Sequence, residues 1–390
     1  MTYRLNPLVA AVDAPPIPIA QGWKARCDGR LGPMIDLSQA VPGHAPPDIL
    51  LQRLGEAAAR PEASRYGPIV GDLALREALA TETSSLYGGK VGVANIAITA
   101  GCNQAFYIAI QALARNGDAV ILPSPWYFNH QMTLAMLGVE VIPLPCDPEA
   151  GFLPDPDATE KLIDSRVKAI VLVSPNNPSG AVAPPDLIAR FHELAKRRGV
   201  ALLLDETYRD FLPAGQSRAH DLFADPDWDE ALIQLYSFSK AYAIPGHRLG
   251  SMIAAPRLIS EAEKILDNLQ ICPARPAQSA LARSIDDTRD WREGVRRELA
   301  ARADACRDAL VQAPGWRLAS IGAYFAFVAH PLTGPDASRA AERLAAECGV
   351  LGLPGSYFGP NLDGYIRLAF ANVAGEVLGG LDDRLNALTR

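Results

Sequence analysis

The chain has 390 residues, which exceeds the usual size of one domain and favours a large domain accompanied by a smaller one. Its composition, 49% hydrophobic and 21% charged, is ordinary for a globular protein. The net charge of -7, without basic clusters interleaved with aromatic residues, argues against nucleic acid or an anionic membrane as a partner. Small molecules are therefore the expected partners.

The six cysteines and six histidines give no sign of a metal or a disulfide framework. The cysteines are scattered without paired spacing, which fits a reducing compartment. The histidines, His130 among them, show no ligand spacing, so we expect no metal and assign them structural or surface roles. Asp13 and several prolines interrupt the apolar N-terminal stretch, which makes a poor signal peptide or membrane helix. A cytoplasmic location is the default expectation.

Taken in chain order, the elements begin with a segment rich in proline and glycine, residues 1–45, which predicts an extended arm that could be intermolecular. From Pro47 the spacing of leucine and alanine predicts two helices, separated by a break that contains Tyr66. After Val93 short apolar runs alternate with helical stretches as far as LGSMIAA. Near-continuous apolar strands with helical crossovers predict a mostly parallel sheet with helices on both faces.

The last third of the chain has a different pattern. Helices follow residue 256, and the segments YFAFVAH and YIRLAF are separated by a further predicted helix. This pattern predicts a separate α+β unit. We therefore expect an α/β fold with a large domain, residues 46–270, and a small domain formed by residues 1–45 and 271–390.

Polar residues follow the predicted strands at the edge of the sheet where ligands bind in open α/β folds. After NIAITA, Gly101, Cys102 and Asn103 open a helix whose free N–H groups suit a phosphate, although most such turns only connect strand to helix. The later strands end in a set of candidate site residues: Asn177, then Asp205 and Tyr208, then Ser237, Ser239 and Lys240. Arg248 follows between glycines, and an arginine with serine hydroxyls suits a phosphate.

The order of these motifs resembles the class I/II aminotransferases of PLP fold type I, the aspartate aminotransferase superfamily. The matching motifs are Ser-x-Ser-Lys at Lys240, Gly-x-Arg-x-Gly at Arg248, Asn-Pro-Ser-Gly at Asn177, Asp-x-x-Tyr at Asp205 and the late Arg367. The resemblance runs from about residue 35 to the C-terminus. It implies pyridoxal 5'-phosphate (PLP) as the cofactor and a large domain whose mostly parallel sheet has seven strands.

The resemblance also implies roles around the cofactor. Lys240 would hold it as a Schiff base and then move a proton on the substrate, with Asp205 and Tyr208 as the other catalytic residues. Asp205 would pair with the pyridine nitrogen, and Asn177 and Tyr208 would bond the phenolic oxygen. The implied phosphate ligands are Gly101, Cys102, Asn103, Ser237, Ser239 and Arg248.

A further set of residues is implied at the substrate. Arg367 would bind the α-carboxylate through two hydrogen bonds, beside Asn177. Ala40 stands where relatives often have glycine next to that carboxylate, and its methyl group could narrow the pocket. Trp126 would face the substrate and Tyr127 would lie against the cofactor ring, while core packing is the alternative for both aromatic residues.

Tyr66 resembles the tyrosine that reaches the phosphate of the neighbouring subunit, which implies a homodimer with shared active sites. Glu206 and Asp210, beside the catalytic candidates, are expected in a solvated turn. Trp126, Tyr66, His130 and the apolar residues Ile17–Ile19 suggest a substrate with an aromatic or otherwise bulky side chain.

The implied reaction moves the amino group of an L-amino acid to a 2-oxo acid by a ping-pong mechanism. A PLP-dependent C–S β-lyase stays open as an alternative, since the motifs around the cofactor do not separate the two outcomes. A non-catalytic PLP-binding regulatory module is a second alternative from another class of protein. It would need an appended basic winged-helix segment, for which no part of the 390 residues is left over.

Overall fold

The structure is a computed structural model and describes residues 3–332 and 336–388. Its strands are β1 (Ile35–Asp36), β2 (Ile96–Thr99), β3 (Ala119–Ser124), β4 (Glu140–Pro145), β5 (Val167–Val173), β6 (Ala201–Asp205), β7 (Leu232–Ser237), β8 (Gly250–Ile253), β9 (Arg317–Gly322), β10 (Phe325–Ala329), β11 (Val350–Leu351), β12 (Leu353–Pro354) and β13 (Tyr365–Ala369).

The α-helices of the same residues are α1 (Pro7–Ala10), α2 (Pro16–Gly22), α3 (Asp48–Ala58), α4 (Leu73–Tyr87), α5 (Cys102–Leu113), α6 (Phe128–Leu137), α7 (Pro156–Glu160), α8 (Pro185–Arg198), α9 (Phe238–Ala241), α10 (Pro256–Leu269), α11 (Arg275–Ala282), α12 (Arg289–Val311), α13 (Ala337–Cys348), α14 (Gly375–Leu378) and α15 (Leu381–Leu388).

The large sheet has seven strands in the order β2-β8-β7-β6-β5-β3-β4. Strand β8 runs antiparallel to both of its neighbours, and the remaining neighbours pair in parallel. Helices cover both faces, so strands such as β2 and β7 are buried along their whole length and consist largely of apolar residues. The predicted α/β fold with a mostly parallel seven-stranded sheet is confirmed.

Helix α8 shows how local sequence sets these elements. It begins with a proline in the first turn, where no intrahelical partner for the amide is lost, and ends at Gly199 in the left-handed conformation. Three basic residues occupy its last turn, where the partial negative charge of the helix end favours cations.

A second, smaller sheet has the antiparallel order β12-β13-β10-β9, and helix α13 packs against it. The N-terminal segment joins this region through strand β1, where Ile35 pairs in parallel with Val350. The expectation of an extended arm is wrong for part of that segment, since α1 and α2 are helical. Each of them starts with a proline, which fits the first turn of a helix as well as an extended chain.

The hydrophobic contacts divide the molecule within helix α12. Val295 and Leu299 pack in the core that includes the large sheet, whereas Cys306 and Leu310 pack in the core around the small sheet. Helix α11 packs against α3 and α4 of the large unit. We therefore propose that the boundary between the two domains lies between Leu299 and Cys306, and not at residue 270 as expected from the sequence.

None of the helices in the described part of the chain combines the length and the apolar character that crossing a bilayer requires.

Candidate active site

A cavity of about 360 Å³ opens where strands β5, β6 and β7 end at the same edge of the large sheet. The loop after β1 and helix α2 cover it from the side of the small domain. Twelve of the predicted site residues line this cavity: Ala40, Cys102, Asn103, Tyr127, Asn177, Asp205, Tyr208, Ser237, Ser239, Lys240, Arg248 and Arg367.

Lys240 reaches the cavity from the short helix α9, which continues directly from strand β7. The hydroxyl of Ser237 caps that helix by accepting a hydrogen bond from the Ser239 amide at 3.3 Å. The Lys240 ammonium donates to the carbonyl of Ala40. The pKa of Lys240 is lowered to about 8, mainly by burial and to a smaller extent by the positive charge of Arg367. About a tenth of this amine is therefore uncharged and nucleophilic at pH 7, far more than of an ordinary lysine.

Asp205 is the last residue of strand β6 and lies buried at the floor of the cavity. His130 Nε2 lies 3.3 Å from its Oδ2 atom, and the Thr207 amide donates to Oδ1 at 3.0 Å. Burial alone would raise the pKa of Asp205, but the hydrogen bonds and the charge of His130 outweigh it and hold that pKa below its ordinary value. The carboxylate is thus ionised and available to a cationic group.

His130 is the main site residue that sequence reasoning missed. It is 2% exposed, so a surface role is wrong, and its ring stacks on Phe106 with the ring centroids 4.0 Å apart. It contacts Asp205 and is not among the residues that line the cavity, so it gives no support to a bulky substrate side chain. One feature of the sequence could have placed His130 near the site. It lies three residues after Tyr127 at the start of α6, and this spacing puts both side chains on one face of the helix.

Two glycines shape the turn between β2 and α5. Gly101 has a φ of +89°, and a Cβ atom there would meet the guanidinium of Arg248. A Cβ atom on Gly250 would lie 2.6 Å from the carbonyl carbon of Gly101 and 2.8 Å from the Cys102 nitrogen. Arg248 Nη2 donates to the carbonyl of Ala100 at 3.2 Å. The glycines therefore let strand β8 and Arg248 approach the amino end of α5 closely.

This turn, with Arg248 and the hydroxyls of Ser237 and Ser239, forms a polar end of the cavity. Free amides at a helix start, an arginine and hydroxyls are the groups that bind phosphate in proteins. Cys102 lies at the same helix start, where burial raises the pKa of its thiol well above the ordinary value, so the thiol is neutral. This end of the cavity fits a phosphate group.

Arg367, on strand β13, is a buried cation with free hydrogen-bonding capacity. It is 2% exposed, donates to Asn177 Oδ1 at 2.9 Å and to the carbonyl of Ser38, and lies over the rings of Phe325 and Phe358 at 5.0 Å. Burial lowers its pKa to about 10. Its Nε atom has no hydrogen-bond partner and no carboxylate pairs with it in the described residues. The guanidinium fits a ligand carboxylate.

Two tyrosines complete the walls. Tyr208 is buried against Tyr324 and Phe325, with ring centroids 5.2 Å apart in both contacts. Burial raises the pKa of Tyr127 to about 12 and raises that of Tyr208 well above its ordinary value. Both hydroxyls therefore stay protonated and can donate hydrogen bonds at neutral pH.

The structure leaves three predicted residues, Trp126, Tyr66 and Gly101, outside the cavity. Trp126 lines a separate cavity of about 30 Å³ with Leu122 and Phe152, so the packing alternative describes its surroundings in this chain. Tyr66 lies in the break before α4 and is 78% exposed on the single chain. Gly101 does not line the cavity either and acts through the turn described above.

The expectation of a solvated turn for Glu206 and Asp210 is wrong. Glu206 is fully buried and accepts hydrogen bonds from the hydroxyl of Tyr87. Asp210 accepts from the Tyr236 hydroxyl at 2.7 Å and pairs with Arg292 at 2.7 Å. Both carboxylates belong to a polar cluster behind the cavity, in which Glu206 is buried and Asp210 is partly buried.

One group of potential metal ligands occurs among the described residues, and none of its members lines the cavity. Ligand atoms of His192, Glu193 and Asp225 lie within 4.8 Å of one another. Protein partners already engage two of them, since His192 Nε2 lies 3.1 Å from the Trp228 carbonyl and Lys196 pairs with Asp225 at 3.2 Å. We assign no metal to this group.

The cavity combines a nucleophilic amine, an ionised carboxylate, a phosphate-binding end and a guanidinium for a carboxylate. These groups fit a phosphorylated aldehyde with a basic ring nitrogen, together with an amino or 2-oxo acid. The fold and the site define an enzyme that exchanges amino groups.

Comparison with known proteins identifies the family. The model of the family "Aminotransferase class I and II" matches residues 32–384, and the chain belongs to this family. It is 29% identical to an aspartate aminotransferase of Pyrococcus horikoshii over 79% of both chains. It is also 29% identical to an aromatic aminotransferase of Arabidopsis thaliana, over 87% of this chain and 85% of that one.

The fold agrees with a solved structure of the family. A single mutant of the aspartate aminotransferase of Thermus thermophilus superposes with a TM-score of 0.91, at 26% identity, over 99% of this chain and all of that one. The chain is therefore an aminotransferase.

Proposed function

We propose that the protein is a PLP-dependent aminotransferase that moves the amino group of an L-amino acid to a 2-oxo acid by a ping-pong mechanism through a Lys240 Schiff base. The observation that carries the proposal is that one cavity is lined by the Lys240 amine and by the Arg367 guanidinium, whose Nε atom has no hydrogen-bond partner among the described residues. An amine with a pKa of about 8 suits bond formation with an aldehyde. A buried guanidinium suits the carboxylate that amino acids and 2-oxo acids share.

The side chains of the chain have distinct roles in this reaction. PLP supplies, when bound, a carbonyl group for the amino group and a ring that accepts negative charge. Arg367 binds the α-carboxylate of the substrate and orients its α-carbon toward Lys240. The Lys240 amine, once free, would take the proton from that carbon and give it to the former aldehyde carbon of the cofactor. Asp205, whose carboxylate is ionised, would keep a proton on the ring nitrogen of bound PLP.

The polar end of the cavity would hold the phosphate of PLP. Arg248, Ser237, Ser239 and the amides at the start of α5 supply positive charge and donors there. The hydroxyl of Tyr208 would donate to the phenolic oxygen, because its pKa lies well above neutral pH.

We further propose a substrate with an apolar, bulky side chain. Pro15, Ile17 and Val41 line the cavity on the side of the N-terminal segment. Apolar walls favour apolar side chains by removing their surface from water. A substrate screen should give higher kcat/KM for phenylalanine, tyrosine or methionine than for aspartate. A strong preference for aspartate would contradict this proposal and leave the aminotransferase assignment intact.

We also propose a homodimer in which Tyr66 reaches the active site of the partner. Its side chain is largely exposed on the single chain, as is Leu73 at the start of α4. Light scattering should give twice the mass of one chain. Tyr66→Phe should weaken PLP binding without changing that mass, whereas a monomeric wild-type protein would contradict the proposal.

The role of Lys240 can be tested by covalent trapping. Borohydride reduction of the PLP-loaded protein should fix the cofactor to Lys240, as detected by peptide mass spectrometry. Lys240→Ala should prevent this labelling and reduce activity by at least about 10³-fold. Lys264→Ala, which changes an exposed lysine of α10, is the matched control and should behave as wild type. Full labelling of Lys240→Ala would show that another residue holds the cofactor.

A further inference from the structure

The segment from Asp205 to Asp210 has two faces, and only one of them belongs to the active site. Asp205 and Tyr208 line the cavity. Glu206, Arg209 and Asp210 point the other way, into a buried polar cluster made with side chains of helix α4 and strand β7. The side of the segment that is turned away from the cavity is its back face. Since the segment carries two of the proposed catalytic side chains, the contacts on the back face also set their positions.

Glu206 has the most extensive contacts on that face. Its carboxylate is fully buried and accepts from the Tyr87 hydroxyl at 2.9 and 2.8 Å and from Gln234 Nε2. His220 Nε2 lies 3.5 Å from its Oε1 atom. Because Nδ1 of His220 accepts from the Leu222 amide, Nε2 is the ring nitrogen that carries the proton facing Glu206.

These partners keep the buried carboxylate ionised. Burial alone would raise the pKa of Glu206, but the interactions with His220, Arg209 and Tyr87 outweigh it and hold that pKa below its ordinary value. An ionised carboxylate that is buried is costly unless charges and hydrogen bonds compensate it. Movement of Glu206 would break that compensation, so the residue resists displacement.

The contacts of Glu206 also join three structural elements. Gln234 lies on β7, which is the neighbour of β6 in the sheet and leads directly to Lys240. The hydrogen bond from Gln234 to Glu206 therefore ties the strand that ends at Asp205 to the strand that leads to Lys240. Tyr87, the last residue of helix α4, ties Glu206 to that helix.

The rest of the back face is fixed in a similar way. The guanidinium of Arg209 lies 3.9 Å above the ring of Tyr236, and its Nη2 atom lies 3.6 Å from Glu82 Oε2. Asp210 accepts from the Tyr236 hydroxyl and pairs with Arg292. Those contacts fix the end of the segment beyond Tyr208, whereas Glu206 fixes the end next to Asp205.

We propose that Glu206 is a positioning residue, whose buried carboxylate anchors the strand end that carries Asp205 and so sets the distance from Asp205 to the ring nitrogen of PLP. Glu206 is not among the residues that line the cavity, so it acts through Asp205. The inference rests on the proposed function, since it concerns the geometry of Asp205 toward the bound cofactor.

The test compares two conservative variants with a matched control. Glu206→Gln keeps the shape and removes the charge, and Tyr87→Phe removes one donor to Glu206 while it keeps the ring that stacks on His220 at 4.4 Å. His192→Ala is the control, because His192 is equally buried but bonds to the Trp228 carbonyl, away from the segment.

In the PLP-loaded enzyme, Glu206→Gln and Tyr87→Phe should lower kcat about 10- to 100-fold and change KM less than about 3-fold, since small displacements of a catalytic group have effects of this size. The pH midpoint of the visible absorption of the bound cofactor should shift by about 0.5 units or more, because a displaced Asp205 interacts less with the cofactor. His192→Ala should lower the Tm and leave kcat and the midpoint unchanged.

A readout without cofactor separates this inference from the proposed function. In the cofactor-free protein, the NMR signal of the His130 Nε2 proton reports the position of Asp205. It should change in Glu206→Gln and stay unchanged in His192→Ala. An unchanged His130 signal together with wild-type kcat and midpoint in Glu206→Gln would overturn the positioning role. Failure of the proposed function would appear in the wild-type protein, which would form no visible cofactor band, whatever the His130 signal showed.

Discussion

The Nε2 atom of His130 lies 3.3 Å from Oδ2 of Asp205, and both side chains are buried. Tyr127, in the turn before His130, lines the cavity together with Asp205. One short segment at the start of α6 thus supplies a wall of the cavity and a partner for the carboxylate at its floor. Among the interactions that lower the pKa of Asp205, the contact with His130 is the largest.

His130→Phe should lower activity while the fold is kept. Phenylalanine preserves the stacking on Phe106 and removes the hydrogen bond to Asp205. A hydrogen bond to a charged group contributes about 1.5 to 3 kcal/mol, so we expect kcat to fall roughly 10- to 150-fold. Steady-state kinetics with a saturating 2-oxo acid provide the measurement. A wild-type kcat would show that Asp205 does not need this partner.

The pKa of Lys240 predicts the pH dependence of PLP capture. Because burial and Arg367 lower that pKa to about 8, the rate of capture by the cofactor-free protein should rise with pH and level off above about pH 8. Stopped-flow absorbance measures the rate. A rate that still rises through pH 10 would mean an ordinary lysine.

The lowered pKa of Lys240 also predicts how the free energy of unfolding changes with pH. The unfolded chain retains the ordinary pKa of 10.5 and binds more protons than the folded chain between about pH 8 and that value. The unfavourable contribution of Lys240 to stability is therefore greatest below pH 8 and is relieved as pH rises through this window. Lys240→Met should remove that pH-dependent part from the unfolding free energy of the cofactor-free protein.

Arg367→Lys should weaken the use of substrate more than the binding of PLP. Lysine keeps the charge and loses the planar pair of donors that a carboxylate accepts. We expect kcat/KM for the amino acid to fall roughly 10- to 150-fold, the equivalent of about 1.5 to 3 kcal/mol. Arg317→Lys, at an exposed position paired with Glu149, is the control. Equal losses in PLP affinity and in kcat/KM would assign Arg367 to the cofactor instead.

Gly250→Ala should disturb the phosphate-binding end from behind. The added methyl group would lie 2.6 Å from the carbonyl carbon of Gly101, and overpacking of this kind costs about 1 to 3 kcal/mol. Lower PLP affinity and a lower Tm should appear together in a titration and a melting curve. Gly246→Ala, where a Cβ atom meets nothing within 4 Å, should change neither. Equal PLP affinity in both variants would contradict this account of the turn.

The sheet could be predicted from the sequence because its strands are buried on both faces and its helices carry strong end signals. Strand β7 is buried at all six positions, and α8 is bounded by a proline and Gly199. The N-terminal segment could not be predicted as well, because a proline fits an extended chain and the first turn of α2 equally. The choice there depends on contacts such as the burial of Ala20, which no local pattern shows.

The site also contains residues that could be predicted from the sequence and residues that could not. Lys240 and Arg367 belong to motifs whose order could be read along the chain, and the structure brings both into one cavity. The surroundings of Glu206 could not be predicted, because its partner Tyr87 lies 119 residues away in sequence and on a different element. The resemblance implied that Trp126 faces the substrate, yet it lines another cavity.

The measurement that tests the central proposal most directly is the visible spectrum of the purified, PLP-loaded protein. A yellow band should disappear when a mixture of amino acids is added and return when 2-oxo acids are added afterwards. The reason is that the amino group is first transferred to the cofactor and then to the 2-oxo acid. Loss of the amino group as ammonia without any need for a 2-oxo acid would contradict transfer and favour the lyase. No band even with added PLP would contradict the role of Lys240 itself.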